Sequence, residues 1–236
     1  MTYLELAQMT AQQTGTIEGT LPSTVLGQTR RLKLIVDYVR EAYNDIQNAH
    51  RAWRWLQSLF YFDTVASTNS YAYSALTDEL TALPVDRFAA WGFKNDGSDR
   101  SVSGYPFAEG VAGEGPLMWM DWPRFSETQL RGTQTPGRPR WFTVAPNEKL
   151  IVSPTPDGIY RIRGPYRKSA QSLAEDDDVP EMPADFHTII KDAALCYVEA
   201  HDEGPRIPVY RLRMLPNWSM LESSQLPRTT WGAPLA

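Results

Sequence analysis

The chain has 236 residues, 42% hydrophobic and 22% charged, with a net charge of −5; that length allows one large domain or two smaller ones in an ordinary soluble globular protein. The acidic balance argues against a protein that wraps nucleic acid, and the single cysteine, Cys196, excludes an internal disulfide or a cysteine-based zinc site. Aromatics make up 11%, with 8 tryptophans, and such side chains concentrate in cores and at interfaces, so the composition leans toward a protein that touches other proteins.

The first residues, MTYLELAQMTAQQTG, lack the basic start and continuous apolar segment of a secretion signal. They predict a short helix from Thr2 to Gly15, with Thr2 and Glu5 at capping-box spacing and Leu4, Met9 and Ala11 as a weak apolar stripe. Residues 16–28 hold Gly19, Pro22 and Gly27 and read as a loop. The stretch Thr29–Trp55 follows, the strongest signal in the chain. Leu32, Ile35, Val36, Val39, Tyr43, Ile46, His50 and Trp53 recur in steps of three and four, which places them on one side of a helix. Thr29 stands where an N-cap hydroxyl would accept from the first turn. A stripe of this kind gains nothing until another apolar surface covers it.

At Gln57 the period changes from helix to strand. Residues 58–67, SLFYFDTVAS, are aromatic and β-branched and predict a strand partly covered on both faces, with Ser70–Ser74 as its hairpin partner. Phe88–Lys94 reads as a second aromatic strand. Residues 95–115 hold five glycines and read as a long mobile loop, a place where partner contacts are common. Its glycines fit neither GxxxxGK[ST] nor GxGxxG, so a phosphate cradle is not expected. Leu117–Trp122 is a short strand or turn, and Pro123 opens a brief helix that Gly132 ends. Arg140–Ala145, Lys149–Ser153 and Ile159–Tyr166 then predict three strands of an antiparallel meander joined by tight turns. Arg161 and Arg163 share a face of the third, either as a solvated edge or as a clamp for a carboxylate or phosphate.

Residues 169–182 form a linker with the acidic run Glu175-Asp176-Asp177-Asp178. The run lacks the turn glycine and alternating ligands of a calcium loop, so it reads as solvated. Pro183–Glu203 is a second helix with Phe186, Ile189, Ile190, Ala193, Tyr197 and His201 as its stripe, and Cys196 reads as a small buried residue in it. Residues 206–224 are helical again, with a kink or break expected at Pro216. The remainder, QLPRTTWGAPLA, has no apolar period; it is either a frayed end or a strap that docks Trp231 on a neighbour.

No catalytic motif stands out. The three histidines, His50, His187 and His201, lie on helical patterns, no HExxH or GxSxG is present, and Asp185 and Asp192 flank His187 without ligand spacing. Neither a metal nor a cofactor is expected, and one cysteine inside a helix makes a poor nucleophile. Paired carboxylates for glycan cleavage depend on a separation in space that a sequence does not carry. Trp119 and Trp122 leave a sugar-binding module as the alternative reading, and a cellular scaffold or chaperone as a third. No segment approaches the ~18 apolar residues needed to span a bilayer, so no membrane partner is expected.

Three segments carry a resemblance: YNDIQNAHRAWRWL (43–56), GRPRWFTVAPNEKLIVSPTPDGIYRIRGPYRK (137–168) and MPADFHTIIKDAAL (182–195), the last preceded by Leu173, Asp178 and Pro180. In order and spacing they resemble the head-to-tail adaptor (connector, head-completion) proteins of tailed bacteriophages, over most of residues 30–200. The Gly-rich loop and the last thirty residues depart from that pattern. The expected architecture is α+β: a helical bundle from 1–56 and 170–224, an inserted antiparallel β-rich domain at 57–169, and an extended tail at 225–236. The resemblance implies a non-enzymatic virion protein, assembled in the host cytoplasm as a dodecameric ring of itself under the portal protein. The helical part would face the portal and the β part the next tail component, of nozzle or tail-terminator type. Genomic DNA would pass through the lumen without specific binding. Candidate partner contacts are Tyr105 and Phe107 in the Gly-rich loop and Pro227, Arg228, Trp231 and Pro234 in the tail.

Overall fold

The computed structural model describes residues 1–16, 20–93 and 101–227. Among them the protein is α+β, with helices α1 (Tyr3–Gln13), α2 (Arg30–Ala49), α3 (Trp122–Thr128), α4 (His187–His201) and α5 (Ile207–Gln225). The strands are β1 (Gln57–Asp63), β2 (Ser70–Tyr71), β3 (Thr77–Asp78), β4 (Ala90–Trp91), β5 (Ser103–Pro106), β6 (Gly115–Pro116), β7 (Met118–Trp119), β8 (Trp141–Val144), β9 (Leu150–Ser153) and β10 (Tyr160–Arg167). The chain divides into two units: Met1–Leu56 with the described residues from Ala170 onward, and Gln57–Ser169.

In the helical unit α4 packs on α1, α2 and α5, and α1 packs on α2. The shared core takes Leu6 and Ala7 from α1, Val36, Val39, Tyr43 and Ile46 from α2, and Ile189, Ile190 and Ala194 from α4. The capping box forms as its spacing predicts: Thr2 Oγ1 accepts from the Glu5 amide at 3.2 Å, and Glu5 Oε2 accepts from the Thr2 amide at 2.9 Å. The buried face of α1 is Tyr3, Leu6, Ala7, Thr10 and Ala11, of which the expected stripe held only Ala11. Thr29 occupies the N-cap of α2 but makes no side-chain cap bond. Arg30 enters the helix with φ +51, a left-handed start that spoils the geometry a capping hydroxyl needs.

The long helix ends at Ala49, short of Trp55, because His50 turns to extended backbone. Trp53 nevertheless stays in the core: its indole N–H folds back to donate to the Ile46 carbonyl at 2.8 Å, filling one of the acceptors a helix end leaves open. Gln47 is wholly buried on the same helix. It donates to the Gln171 carbonyl and accepts from the Gln171 amide, at 2.9 and 2.7 Å, imitating one rung of a sheet and pinning the returning chain.

The acidic run is solvated only in part: Glu175 and Asp177 are exposed, but the other two are tied to backbone amides. Asp176 accepts from the Val25 amide at 2.5 Å, and Asp178 accepts from the Ala174 and Glu175 amides at 2.6 and 2.8 Å. The stripe expected on the second helix is also corrected. His201 is exposed, whereas His187, Lys191 and Asp192 are buried, because α4 is covered on more than one side. Cys196 is half-buried. Helix α5 runs through Pro216 without a break.

The second unit holds two sheets, in the orders β3-β1-β10-β5-β6 (with β4 also on β10) and β2-β9-β8-β7; all pairs are antiparallel except β7 with β8. Between them lies an apolar core that includes Phe60, Phe62, Ile162 and Tyr166 from one sheet and Phe142, Leu150 and Val152 from the other. Helix α3 covers the far side of β8 and β9 through Phe125, Ile151 and Ala145, so every residue of β9 is buried.

The predicted meander does not form. β8 and β9 pair, but β9 already has β2 on its other edge, so β10 has no edge to join there. It pairs instead with β1 over seven positions, Gln57↔Arg167 to Asp63↔Arg161. Gly164 makes that register possible: a Cβ there would lie 3.0 Å from Val102 and 3.2 Å from its cross-strand neighbour Phe60. The expected Ser70 hairpin fails likewise, since β2 pairs with β9 rather than β1. β1 alternates strictly, burying Ser58, Phe60 and Phe62 and leaving its other face uncovered. The second aromatic strand shrinks to Ala90–Trp91, because Phe88, Trp91 and Phe93 meet other rings edge-on. Of the Gly-rich stretch, residues 94–100 lie outside the described residues; Ser103–Pro116 is ordered as β5, a 3₁₀ turn and β6 rather than a mobile loop.

Candidate docking surfaces

The outward face of the larger sheet is built in rows. Cross-strand neighbours share a face, so Asp63, Arg161 and Tyr105 form one row and Tyr61, Arg163 and Ser103 the next. The arginines do not sit on a solvated edge, because β10 is an interior strand. Each is paired within the protein. Arg161 makes a two-pronged bond to Asp63, both contacts 2.8 Å, and its guanidinium lies 4.5 Å from the Tyr61 ring centre and 5.1 Å from that of Phe107. Its hydrogen bonds to Asp63 push its already high pKa further up. Arg163 reaches Glu79 at 3.2 Å and Glu114 at 2.9 Å.

Beyond the Arg161 row the same face turns apolar. The Thr64 amide donates to the Tyr160 carbonyl and the Phe107 amide to the Ile159 carbonyl, which carries the pairing one step past the strands. Ile159 and Phe107 therefore stand opposite one another and Val65 follows the end of β1, each between 52 and 61% exposed. An exposed aromatic held against a fixed arginine has the character of an interface anchor. Tyr105, the other candidate from this region, is buried; it supports the row and does not face solvent.

A second apolar surface lies on α5. At 100° per residue, Val209, Leu212, Leu215 and Met220 share one side with Pro216, Ser219 and Ser223, and no charge falls among them. Their exposures run from 52 to 68%. The opposite side of α5 carries the buried Tyr210 and Leu221. Trp218, also on that side, meets Trp53 edge-on at 6.0 Å and donates to Glu222 at 2.8 Å, and Glu222 bonds His50 at 2.9 Å. The helix is thus apolar on two sides, one packed and one bare. Of the tail candidates, Pro227 is exposed just past α5, while Arg228, Trp231 and Pro234 lie outside the described residues.

Among the described residues no group of three or more His, Cys, Asp or Glu is placed to hold a metal ion. Among the same described residues, no helix is long and apolar enough to cross a membrane. Burial lowers the pKa of His187, with the N-terminal charge acting the same way against backbone hydrogen bonds, and burial raises that of Cys196. The glycan reading weakens, because Trp119 packs on Phe93 and Phe142 at 5.4 Å and Trp122 packs on the α3 cluster, so neither is a free platform. Sequence reasoning missed the α5 face and the exposed apolar residues Val65 and Ile159. An apolar residue in a helical pattern reads as core, and strand order is needed before residues a hundred positions apart can be neighbours.

Exposed surfaces that are apolar and lightly charged suit contact with other proteins. The family described as SU10 adaptor protein matches residues 1–226, and the chain belongs to it. That makes it a bacteriophage adaptor with a structural role, the family to which residues 43–56, 137–168 and 182–195 pointed. No curated protein matches the sequence.

Proposed function

We propose that the chain is a head-to-tail adaptor that docks as a dodecameric ring under the portal, extends the DNA channel and presents the surface to which the tail attaches. The observation that carries this reading is the family match over residues 1–226. In this reading the helices of 1–56 and 170–224 form the bundle that faces the portal, and the β insert meets a nozzle or tail-terminator protein through Phe107 and its neighbours. The tail from 225 onward, with Pro227, Arg228, Trp231 and Pro234, crosses to the portal or to a neighbouring copy by the kind of segment donation that joins backbone bonds to a few apolar anchors. The protein is a virion component assembled in the host cytoplasm, and its task needs no catalysis.

Charge supports the channel role. The insert holds twelve basic and twelve acidic residues, so the helical part of the sequence holds the whole acidic excess. A lumen of that character does not grip DNA, because it offers few cations to displace the counterions of the phosphates. Deleting the gene from the phage genome tests the proposal: DNA-filled heads without tails are expected, and tailed, infectious particles would contradict it.

A further inference from the structure

The bare face of α5 has a polar gap at its centre. At 100° per residue, Leu212 and Pro216 lie together in its middle, with Val209 and Met220 to one side and Leu215 to the other. Pro216 has no amide hydrogen, so the Leu212 carbonyl loses the helical bond that residue would have given it, and the proline ring presses against that carbonyl. Leu212 is also the most exposed side chain on the face. Ser223 has no donor to spare for it, because its hydroxyl already bonds the Met220 carbonyl at 2.9 Å. The group that would complete this surface is large, flat and apolar, with a single N–H donor, which describes an indole. The segment after α5 holds one. Residues 229–236, TTWGAPLA, carry Trp231 and no charged side chain. The chain leaves α5 through Leu226, whose backbone is extended. From Leu226 back to Pro216 the helix rises about 15 Å. An extended chain from Leu226 to Trp231 reaches about 17 Å, and the indole's own length carries the ring round to the bare side.

We propose that in the free chain residues 229–236 turn back along the bare face of their own α5, with the Trp231 ring over Leu212 and Pro216 and its indole N–H donating to the Leu212 carbonyl. Face and segment answer each other in kind. Both are apolar and without charge, and one has an open acceptor where the other has a donor. The segment is then a lid, and lifting it bares the α5 face and frees Trp231 in one event. The contact lies within one chain and does not rest on the adaptor reading. In that reading, docking is the event that lifts the lid, and the strap and the α5 face become available together.

Nitrogen–proton correlation spectra of the purified full-length chain test it through the Trp231 indole N–H, whose signal is identified by its loss in Trp231→Phe. That N–H is expected to exchange with solvent about tenfold or more slowly than the same group in a peptide of residues 225–236, at every protein concentration. Leu212→Glu changes an exposed position, so it should fold, and it should return the indole to the peptide's rate. Pro216→Ala should do the same for the opposite reason: it restores the helical bond to the Leu212 carbonyl and so closes the acceptor. Alanine is the better helix former, so a loss of protection in that variant cannot come from unfolding. An indole that exchanges as fast as in the peptide would overturn the proposal, as would protection that survives Pro216→Ala. Protection that fades on dilution would overturn it too, because the segment would then come from a second copy. The readout does not involve the virion, so absence of the chain from particles would defeat the adaptor reading while leaving a measured contact of this kind in place.

Discussion

Trp53 sits past the last turn of α2 and is fully buried. Its ring stacks on Trp55 at 4.4 Å, meets His50 edge-on at 4.8 Å, and closes the helix end through Ile46. Trp53→Ala should therefore cost about 3–5 kcal/mol, as truncations of large core aromatics do; an unchanged denaturation midpoint would show the contacts to be idle. His187 gives a pH prediction. Its Nε2 donates to the Met182 carbonyl at 2.9 Å, and Nδ1 lies 3.1 Å from the Met1 amino group. Burial, the largest influence, holds its pKa below the ordinary value, so it stays neutral in the fold while the unfolded chain takes up a proton. Stability should fall as pH drops through about 6.5 and keep falling toward the lower folded pKa. His187→Gln should flatten the slope of unfolding midpoint against pH in that window; an identical slope would contradict the assignment. The sequence revealed Trp53 as core, because a tryptophan continuing a helical stripe has few other places to go. It did not reveal His187 over His201, because spacing along one helix does not say how many sides of that helix are covered.

Elements were legible where a local period decides them and misread where a partner does. The segments 30–49, 57–63 and 187–201 took the predicted types, and the capping box at Thr2 is local chemistry. The meander failed because alternation identifies β10 as a strand but does not say which edge is open to it. The outward rows of the larger sheet follow from that non-local choice, and with them the Val65–Ile159–Phe107 surface. Phe107→Ala should leave the unfolding midpoint within about 0.5 kcal/mol, since the side chain is exposed. Titration against the tail component should then show about tenfold or greater loss of affinity; unchanged affinity would remove Phe107 from the interface. Truncation after Leu226 should leave the fold intact, because the cores draw nothing from beyond that residue among the described positions. It should weaken portal docking, read as affinity for the isolated portal, and equal docking by both lengths would contradict the strap.

At the scale of the whole molecule, the α+β class and the family were both legible, the class from the change of period at Gln57 and the family from three ordered segments. The docking surfaces were only half legible. Phe107 was visible as an aromatic in a glycine-rich stretch, but the α5 face was hidden by its own composition: a helix apolar on two sides gives no stripe to read. In the function proposed above, this chain is a ring-forming structural component at the portal. Quantitative mass spectrometry of purified particles, comparing this chain with the portal protein, tests it most directly. A copy number equal to that of the portal is predicted; a chain absent from the particle would contradict it.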